Sequence, residues 1–223
     1  SHPGCHVWNS GLRAEQTARW SGACNGSVLE GEGVLTWADP EDATVYEGAL
    51  VGGKLHGRAS VTFGGDGTVS EGPYANGLRS GRWRVTYTNG TVSEGIFANG
   101  HRAGRWVARE ANGTVAERFF VNGEIHGTMV FRHSNGAVSE IPALNANGQI
   151  HGRVIDRQAN GDVSATPYVN GKKHGTRVER QINGDVIETP YVNGEIHGTE
   201  VRRNADGNVI ERIRYVNGER QDP

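Results

Sequence analysis

Turn dipeptides divide the chain at regular intervals into short stretches in which apolar and polar residues alternate. Asn-Gly opens each clear copy of this repeat, and successive copies are separated by 23, 23, 25, 23, 23 and 24 residues. The copies begin at Asn76, Asn99, Asn122, Asn147, Asn170, Asn193 and Asn217. A second turn falls midway, at a glycine that is followed two residues later by valine, as at Gly90 and Val92. The chain is therefore a tandem array of units with two turns each.

Two turns in every unit leave segments of about six to eight residues, which is a strand length rather than a helix length. Asn-Gly favours a two-residue hairpin turn because both residues tolerate positive φ. The pattern predicts an all-β fold, an elongated single-layer antiparallel meander of about eight hairpin repeats over residues 20–218. We expect residues 1–20 to form an N-terminal cap segment and residues 219–223 a C-terminal tail.

The strand after each Asn-Gly turn has an apolar side in the early repeats. That side carries Trp83, Tyr87, Trp106, Met129 and Phe131. The same positions later become polar, at Asp156, Arg177 and Glu200. Because binding energy on repeat scaffolds concentrates in buried aromatic residues, we predict that the first five form a partner-facing or self-packing patch. The alternative is that they are the ordinary core of the early repeats. The apolar side would then change through a one-residue register shift or a bulge, or both faces would be covered there.

The early copies resemble a known repeat family. Residues 46–57 read Tyr-Glu-Gly-Ala-Leu-Val-Gly-Gly-Lys-Leu-His-Gly, which is similar to the MORN pattern Tyr-x-Gly-x4-Gly-x3-Gly. Copies that start at Glu71-Gly72 and Glu94-Gly95 follow the same spacing. The Glu-Gly step is lost later, where the chain has Glu117-Arg118, Glu140-Ile141, Ala165-Thr166 and Glu188-Thr189. These later copies resemble the MORN-variant repeats of bacterial antitoxins. The resemblance implies a hairpin-repeat fold and a scaffold or partner-binding role.

Composition agrees with a thin sheet. The chain has 34 Gly, 35% hydrophobic residues and a mean hydropathy of -0.57, a mixture that suits many tight turns better than a large core. Its net charge is -2, with acids and bases interleaved, so no basic tract is available for nucleic acid. The apolar runs are too short for a transmembrane helix. We expect a protein partner or self-assembly, with no nucleic acid partner and no transmembrane segment.

Histidine recurs beside equivalent turns, just before a glycine. The positions are His56, His126, His151, His174 and His197. Neighbouring copies would lie two strands apart, about 10 Å, whereas zinc needs its ligands about 2 Å from a common centre. The row is therefore predicted to stabilise turns and to hold no metal, although a row of imidazoles could respond to pH near 6.5.

Glutamate recurs as well, in the middle of the strand between the two turns. We expect these glutamates to form a polar cross-strand ladder with the residues facing them. The predicted facing residues are Arg58, Arg82, Arg105, Arg153, Thr128, Thr176 and Thr199. Proline recurs three residues before a turn asparagine, at Pro73, Pro167 and Pro190. Proline removes a ladder donor, so each of these points is predicted to be a bulge or to point outward.

No familiar catalytic pattern occurs in the chain. It lacks a Gly-x-Ser-x-Gly elbow, a phosphate-binding Gly-Lys-Ser/Thr loop and Cys-x-x-Cys. A flat sheet also lacks the cleft that catalytic carboxylate pairs need. We predict a non-enzymatic scaffold or adhesive subunit without a cofactor. The alternative is an antitoxin or immunity-type inhibitor that binds a partner protein.

Two cysteines, Cys5 and Cys24, close a short loop near the N-terminus. A disulfide there would stabilise the fold by about 3 kcal/mol on the chain-entropy estimate. It would also place the protein in an oxidising compartment. The sequence begins Ser1-His2-Pro3, as a chain does after signal cleavage, so we expect a secreted or periplasmic protein of bacterial origin.

The cysteine pairing predicts a specific mass change. Alkylation of the native protein should add no label, and alkylation after reduction should add two, as measured by intact-mass spectrometry. Two labelled thiols in the unreduced protein would contradict the predicted disulfide.

Overall fold

The computed structural model describes residues 17–38, 43–142 and 144–221. This part of the chain is all-β and contains no helix, as the repeat pattern predicts. The strands are β1 Thr17–Trp20, β2 Ala23–Asn25, β3 Val28–Ala38, β4 Ala43–Val51, β5 Lys54–Thr62, β6 Val69–Ala75, β7 Leu78–Arg79, β8 Gly81–Thr86, β9 Val92–Ala98, β10 His101–Arg109, β11 Val115–Val121, β12 Glu124–Arg132, β13 Val138–Ile141, β14 Gly152–Arg157, β15 Val163–Val169, β16 Lys172–Lys173, β17 Gly175–Arg180, β18 Val186–Val192, β19 Glu195–Ile196, β20 Gly198–Arg203, β21 Val209–Val216 and β22 Glu219–Gln221.

The strands pair antiparallel with their neighbours in sequence, which confirms the predicted open meander. The chain divides into two compact units. The first unit comprises residues 1–111 and 120–124, and the second comprises residues 112–119 and 125–223. The predicted cap of residues 1–20 lies mostly outside the described residues. The predicted tail begins with β22, which pairs with β21.

The Asn-Gly turns have the backbone that their sequence predicts. Asn76, Asn99, Asn122, Asn170, Asn193 and Asn217 all have φ between 50° and 54°, and a glycine with positive φ follows each. Two successive positive φ values define a two-residue type I′ hairpin turn. Asn147 is an exception, because its φ is not positive. The backbone N–H of Gly148 donates to the carbonyl of Asn145. This hydrogen bond closes a three-residue loop of the kind found at the midway turns.

The midway turns form that second class of hairpin. The Gly90 N–H donates to the Tyr87 carbonyl, and the Tyr87 N–H donates to the Thr91 carbonyl. This pattern is a type I turn closed by a left-handed glycine, here with φ of 81°. The Asn89 side-chain oxygen accepts the Thr91 N–H at 2.9 Å and stabilises the turn locally.

A two-residue bulge follows the Asn-Gly turn in most hairpins. In the first unit Tyr74 pairs with Arg79, but Glu71 pairs with Arg84, so four residues of the returning strand face two. Gly81 lies in the bulge with φ of 63°, which a residue with a side chain rarely adopts. The carbonyl of Pro73 accepts the Ser80 N–H at 2.9 Å.

The other proline bulges follow the same pattern. His174 and His197 donate their backbone N–H groups to the carbonyls of Pro167 and Pro190. The predicted bulges at the three prolines are confirmed.

The bulge changes the ladder of glutamates that the sequence predicts. Two extra residues preserve the side to which each residue points, yet they move every cross-strand partner two positions along. Glu47 faces Ser60 instead of Arg58, Glu71 faces Arg84 instead of Arg82, Glu94 faces Val107 instead of Arg105, Glu140 faces Ile155 instead of Arg153, and Glu188 faces Val201 instead of Thr199. Val178 faces Ala165 where Thr176 was expected. The predicted partner Thr128 stays a prediction. Arg58, Arg82, Arg105 and Thr199 were wrong because the two-residue bulge was not counted. Arg153 was wrong in a hairpin whose register changes by one residue, from the Leu144–Ile150 bridge to the Glu140–Ile155 pair.

An aromatic ladder fills one face of the first unit, called the inner face. Trp83 is fully buried, with Tyr74 and Phe97 edge-on to it at centroid distances of 5.1 and 5.7 Å. Trp106 continues the ladder 5.3 Å from Phe97. The guanidinium of Arg79 lies 4.5 Å from the Trp83 ring and covers the ladder from the solvent side.

Each of these tryptophans lies directly over a glycine. A Cβ built on Gly72 would lie 2.4 Å from Trp83, and one built on Gly95 would lie 2.2 Å from Trp106. The Trp83 indole N–H also donates to the carbonyls of Pro73 and Ser80, both at 3.1 Å. The glycine of the Glu-Gly step therefore makes room for the tryptophan that fills the bulge.

The equivalent positions in the second unit have neither tryptophan nor glycine. Met129 and Val154 are buried where tryptophan would stand, and Arg177 and Glu200 follow in the last copies. In the last copy the Thr189 hydroxyl donates to the Glu200 carboxylate at 2.8 Å. From Arg118 onward the Glu-Gly step and the tryptophan are lost together. The early copy Glu47-Gly48 keeps the glycine although it faces Ala59.

The contact between Trp83 and Gly72 predicts a coupled effect on stability. Gly72→Ala should lower the free energy of unfolding by about 1–3 kcal/mol, because the added methyl overlaps the indole. In a Trp83→Val background the same change should cost much less. Urea unfolding of the four proteins measures the coupling. Equal costs in both backgrounds would show that the glycine is not there for the tryptophan.

Candidate functional site

The five aromatic and apolar residues predicted to meet a partner belong to the two inner faces. Trp83 and Trp106 are buried in the ladder of the first unit, and Met129 is buried in the second. Tyr87 and Phe131 are half-buried. The burial of the first three favours the core alternative that the sequence left open. Their role in partner binding stays a prediction.

No change of face explains the polar residues that follow in the later repeats. The register shift in β10 is two residues, which preserves parity, so the one-residue shift is not found there. In the second unit Val154 keeps the buried position between β13 and β15. The inner face therefore continues and becomes polar.

Of the predicted disulfide, only Cys24 lies among the described residues. It is half-buried on β2 and packs against a small core of Trp20, Leu29, Leu35 and Leu50. Cys5 lies outside the described residues, so the pairing stays a prediction.

Two histidines of the predicted row contact the turns of neighbouring copies. His174 Nδ1 accepts the Asn193 N–H at 3.4 Å, and His197 Nδ1 accepts the Asn217 N–H at the same distance. These bonds support a turn-stabilising role. Among the residues that the structure describes, no group of three or more His, Cys, Asp or Glu side chains is placed to hold a metal ion.

The second unit presents two rows of paired side chains on its other face, called the outer face. One row alternates arginine and valine from strand to strand. In order of pairing it contains Arg132, Val138, Arg157, Val163, Arg180, Val186, Arg203 and Val209. The adjacent row contains Val130, Glu140, Ile155, Ala165, Val178, Glu188 and Val201. The outer face therefore mixes aliphatic side chains with a regular series of cations.

Three of the four arginines in the first row have a carboxylate partner on the preceding strand of the outer face. The atom separations are 3.8 Å for Arg132 and Glu117, 3.5 Å for Arg157 and Glu140, and 3.7 Å for Arg203 and Glu188. Each arginine stands five residues after the bulge glycine. Glutamate and arginine therefore form a repeated outer-face ladder.

The ladder is interrupted at one rung. Ala165 stands on β15 where the other copies have glutamate. Arg180, on the next long strand, accordingly makes no ion pair with any described residue and is exposed. Since arginine stays charged at every physiological pH, this rung carries an uncompensated positive charge.

The interrupted rung is also a depression, called the Ala165 depression. It is lined by Arg153, Val163, Ala165, Val178 and Arg180. The short Ala165 side chain lies between Ile155 and Val178, which are its partners on the two sides. The volume of about 170 Å³ is below the usual 300–1,000 Å³ of a small-molecule pocket. The depression suits one or two side chains of a larger partner better than a whole small ligand.

A second charged guanidinium stands at the opposite corner of the depression. Arg153 faces Pro167, whose side chain offers no charge or hydrogen bond, and it makes no ion pair in the described part of the chain. Sequence reasoning named Arg153 only as a partner of glutamate, and it missed Arg180. The sequence does show that Ala165 is the one alanine in the glutamate series. That this alanine leaves Arg180 without a carboxylate partner becomes clear only from the strand register.

The outer face of the first unit carries a different groove. It has a volume of about 420 Å³, and its charged lining residues are Glu32, Glu47, Glu71 and Arg58. Gly33 and Gly48 also line the groove. None of the four charged side chains has an ion-pair partner among the described residues. Three carboxylates and one guanidinium thus line the groove together with small residues, and no aromatic side chain is among the lining residues.

Within the described ranges, three side chains show a displaced pKa. Burial raises the pKa of the Tyr46 hydroxyl, and burial together with the charge of Asp156 raises that of Tyr168. The backbone N–H and hydroxyl of Thr68 lower the pKa of the Asp66 carboxyl. All three shifts move the group away from neutral pH, so these residues are not tuned for proton transfer there.

Comparisons with known proteins leave the family open. No protein-family model matches the chain, and no curated protein matches it. Among solved structures the chain is similar to the TCP domain of SAS-4 (dCPAP) of Drosophila melanogaster, in complex with a proline-rich motif of Ana2 (dSTIL). The TM-score is 0.41 and the identity 15%, over 70% of this chain and 82% of that chain. A likeness this distant carries no argument about function. The MORN resemblance stays a prediction.

Burial of the first-unit tryptophans predicts what their removal does. Trp83→Ala should lower the free energy of unfolding by about 3–5 kcal/mol, because the whole indole is buried. Tyr87→Ala, on the half-buried residue nearby, should cost clearly less. Denaturant unfolding followed by circular dichroism provides both values. A Trp83→Ala protein of unchanged stability that failed to bind or assemble would restore the predicted patch.

Proposed function

We propose that this protein is a non-enzymatic scaffold that binds a protein partner through the outer face of its second unit. The observation that carries the proposal is the row of alternating arginine and valine, together with the aliphatic row beside it. Valine and isoleucine on a fully solvated strand face give little stability to the sheet. They contribute much more when a second surface covers them.

The residue types on this face are those found in protein interfaces. Arginine is enriched at interface hot spots, since its guanidinium forms several hydrogen bonds and its stem covers apolar area. Strands of the unit pack chiefly against their neighbours in the sheet, so the valines of the outer face are only half-buried. A partner that packed on this face would bury them and meet charges at regular spacing.

We further propose that the scaffold works outside the cytoplasm. The predicted disulfide between Cys5 and Cys24 supports this location, since disulfides persist in oxidising compartments. The alternative of an antitoxin or immunity-type inhibitor would use the same kind of protein contact. A cytoplasmic location and a single toxin-like partner would favour that alternative.

A photo-crosslinking experiment tests the binding role. A benzophenone amino acid at Thr176, which is exposed on the outer face beside the Ala165 depression, should form one dominant adduct in extracts of the source organism. The same group at Arg82, exposed on the first unit, serves as the control position. Unlabelled protein should compete for the Thr176 adduct.

The mass of the adduct also shows whether the crosslinked partner is a second copy of this chain or another protein. An adduct of twice the chain mass would identify a second copy as the occupant. No adduct at Thr176, or the same adducts at both positions, would contradict the proposed docking surface.

A further inference from the structure

The interrupted rung of the outer-face ladder defines the chemistry of the partner. We infer that the Ala165 depression receives a carboxylate side chain of a partner protein, which takes the place of the glutamate missing from this rung. This inference rests on the proposed function, because it specifies the partner of the same face. The intact rungs of the same sheet support this inference.

The intact rungs show what Arg180 lacks. Arg157 and Arg203 each have a glutamate on the preceding strand, at 3.5 and 3.7 Å. Arg180 occupies the equivalent position, with Val163 and Val186 beside it just as Val138 and Val163 flank Arg157. The backbone at position 165 is thus arranged as it is where the other rungs carry glutamate. At this position the chain has only the methyl side chain of Ala165. A carboxylate from outside can reach Arg180 beside Ala165 without displacing a side chain.

The depression has a second cationic anchor at a defined distance. Arg153 is level with Pro167 on β15, and Arg180 is level with Val163. Four residues of strand separate these levels, which is roughly 13 Å at the usual rise per residue. An extended partner segment spans the same distance between its residues i and i+4, whose side chains point to the same side. The two arginines therefore fit two carboxylates spaced four residues apart.

The floor between the anchors selects an aliphatic residue. Ala165, Val163 and Val178 line it with methyl groups. Residue i+2 of the extended segment points to the same side and falls between the two carboxylates, so an aliphatic side chain there would fill the depression. The geometry points to an extended segment of the form acidic-x-aliphatic-x-acidic. A carboxylate pair with this spacing also distinguishes the ligand from a free inorganic anion.

The inference can be tested with a synthetic peptide and the intact protein. The probe is the acetylated, amidated peptide Ser-Glu-Thr-Leu-Thr-Glu-Ser, and the matched control has glutamine at both glutamate positions. Titration of the isotope-labelled protein, followed by NMR, should shift the backbone signals of Ala165 and Val178 with the probe. The glutamine peptide and sodium acetate should bind at least about tenfold more weakly, since each loses the paired charge contacts.

A variant that supplies the missing glutamate from the protein itself provides the decisive test. Ala165→Glu restores the ladder glutamate, so it should pair with Arg180 and weaken peptide binding at least about tenfold. Thr199→Glu adds the same charge on the same face, three long strands away, and should leave binding nearly unchanged. Since glutamate occupies this position in the neighbouring copies, the variant should fold, and its circular dichroism and urea midpoint check this.

Several results would overturn the inference. Equal binding of the glutamate and glutamine peptides would show that charge is not read. Unchanged binding by the Ala165→Glu protein would place the peptide elsewhere. A crosslinked partner at Thr176 that still bound the Ala165→Glu protein would leave the docking surface intact and remove only the carboxylate contact. The failure of this inference is thereby distinct from the failure of the proposed function.

Discussion

The arrangement of both faces depends on one backbone constraint, the two-residue bulge that follows most of the Asn-Gly turns. Two extra residues keep every side chain on its own face but change its partner across the strands. In the second unit Tyr168 pairs with Lys173, while Ala165 pairs with Val178. An unbulged hairpin would place Thr176 opposite Ala165, and the floor of the depression would then be polar. Glycine permits the bulge, since Gly175 adopts φ of 101°.

The bulge must also be filled, and the two units fill it differently. In the first unit Trp83 covers it, donates to its carbonyls and requires the bare backbone of Gly72. In the second unit the inner face carries the smaller Met129 and Val154 and then the charged Arg177 and Glu200, while rows of aliphatic side chains and arginines lie on the outer face. The first unit is thus stabilised by its own aromatic ladder, whereas the second presents rows of valine and arginine on its outer face, where we propose that a second protein binds. Under this proposal the two units have separate roles along one repeated backbone.

Much of the fold follows from local sequence rules. Asn76-Gly77 predicts a type I′ turn, and Pro73 predicts the bulge, because each residue restricts its own backbone. The register was not predictable from the sequence. Gly81 permits a bulge, but it does not determine how many residues the bulge contains. The glutamate partners and the environment of Arg180 depend on that number. Burial of Trp83 was likewise hidden, because a single sheet offers no obvious cover until Arg79 is seen to lie over the ring.

The central claim is that the bulge determines which side chains meet, and one NMR measurement tests it directly. Backbone proton contacts in the isotope-labelled protein report cross-strand neighbours within a few ångströms. The account predicts strong contacts between the backbone protons of Ala165 and Val178. It also predicts contacts between Tyr168, on the same strand as Ala165, and Lys173 on β16. Strong contacts between Ala165 and Thr176 instead would show an unbulged hairpin. That result would contradict the assignment of both the Ala165 depression and the interrupted rung at Arg180.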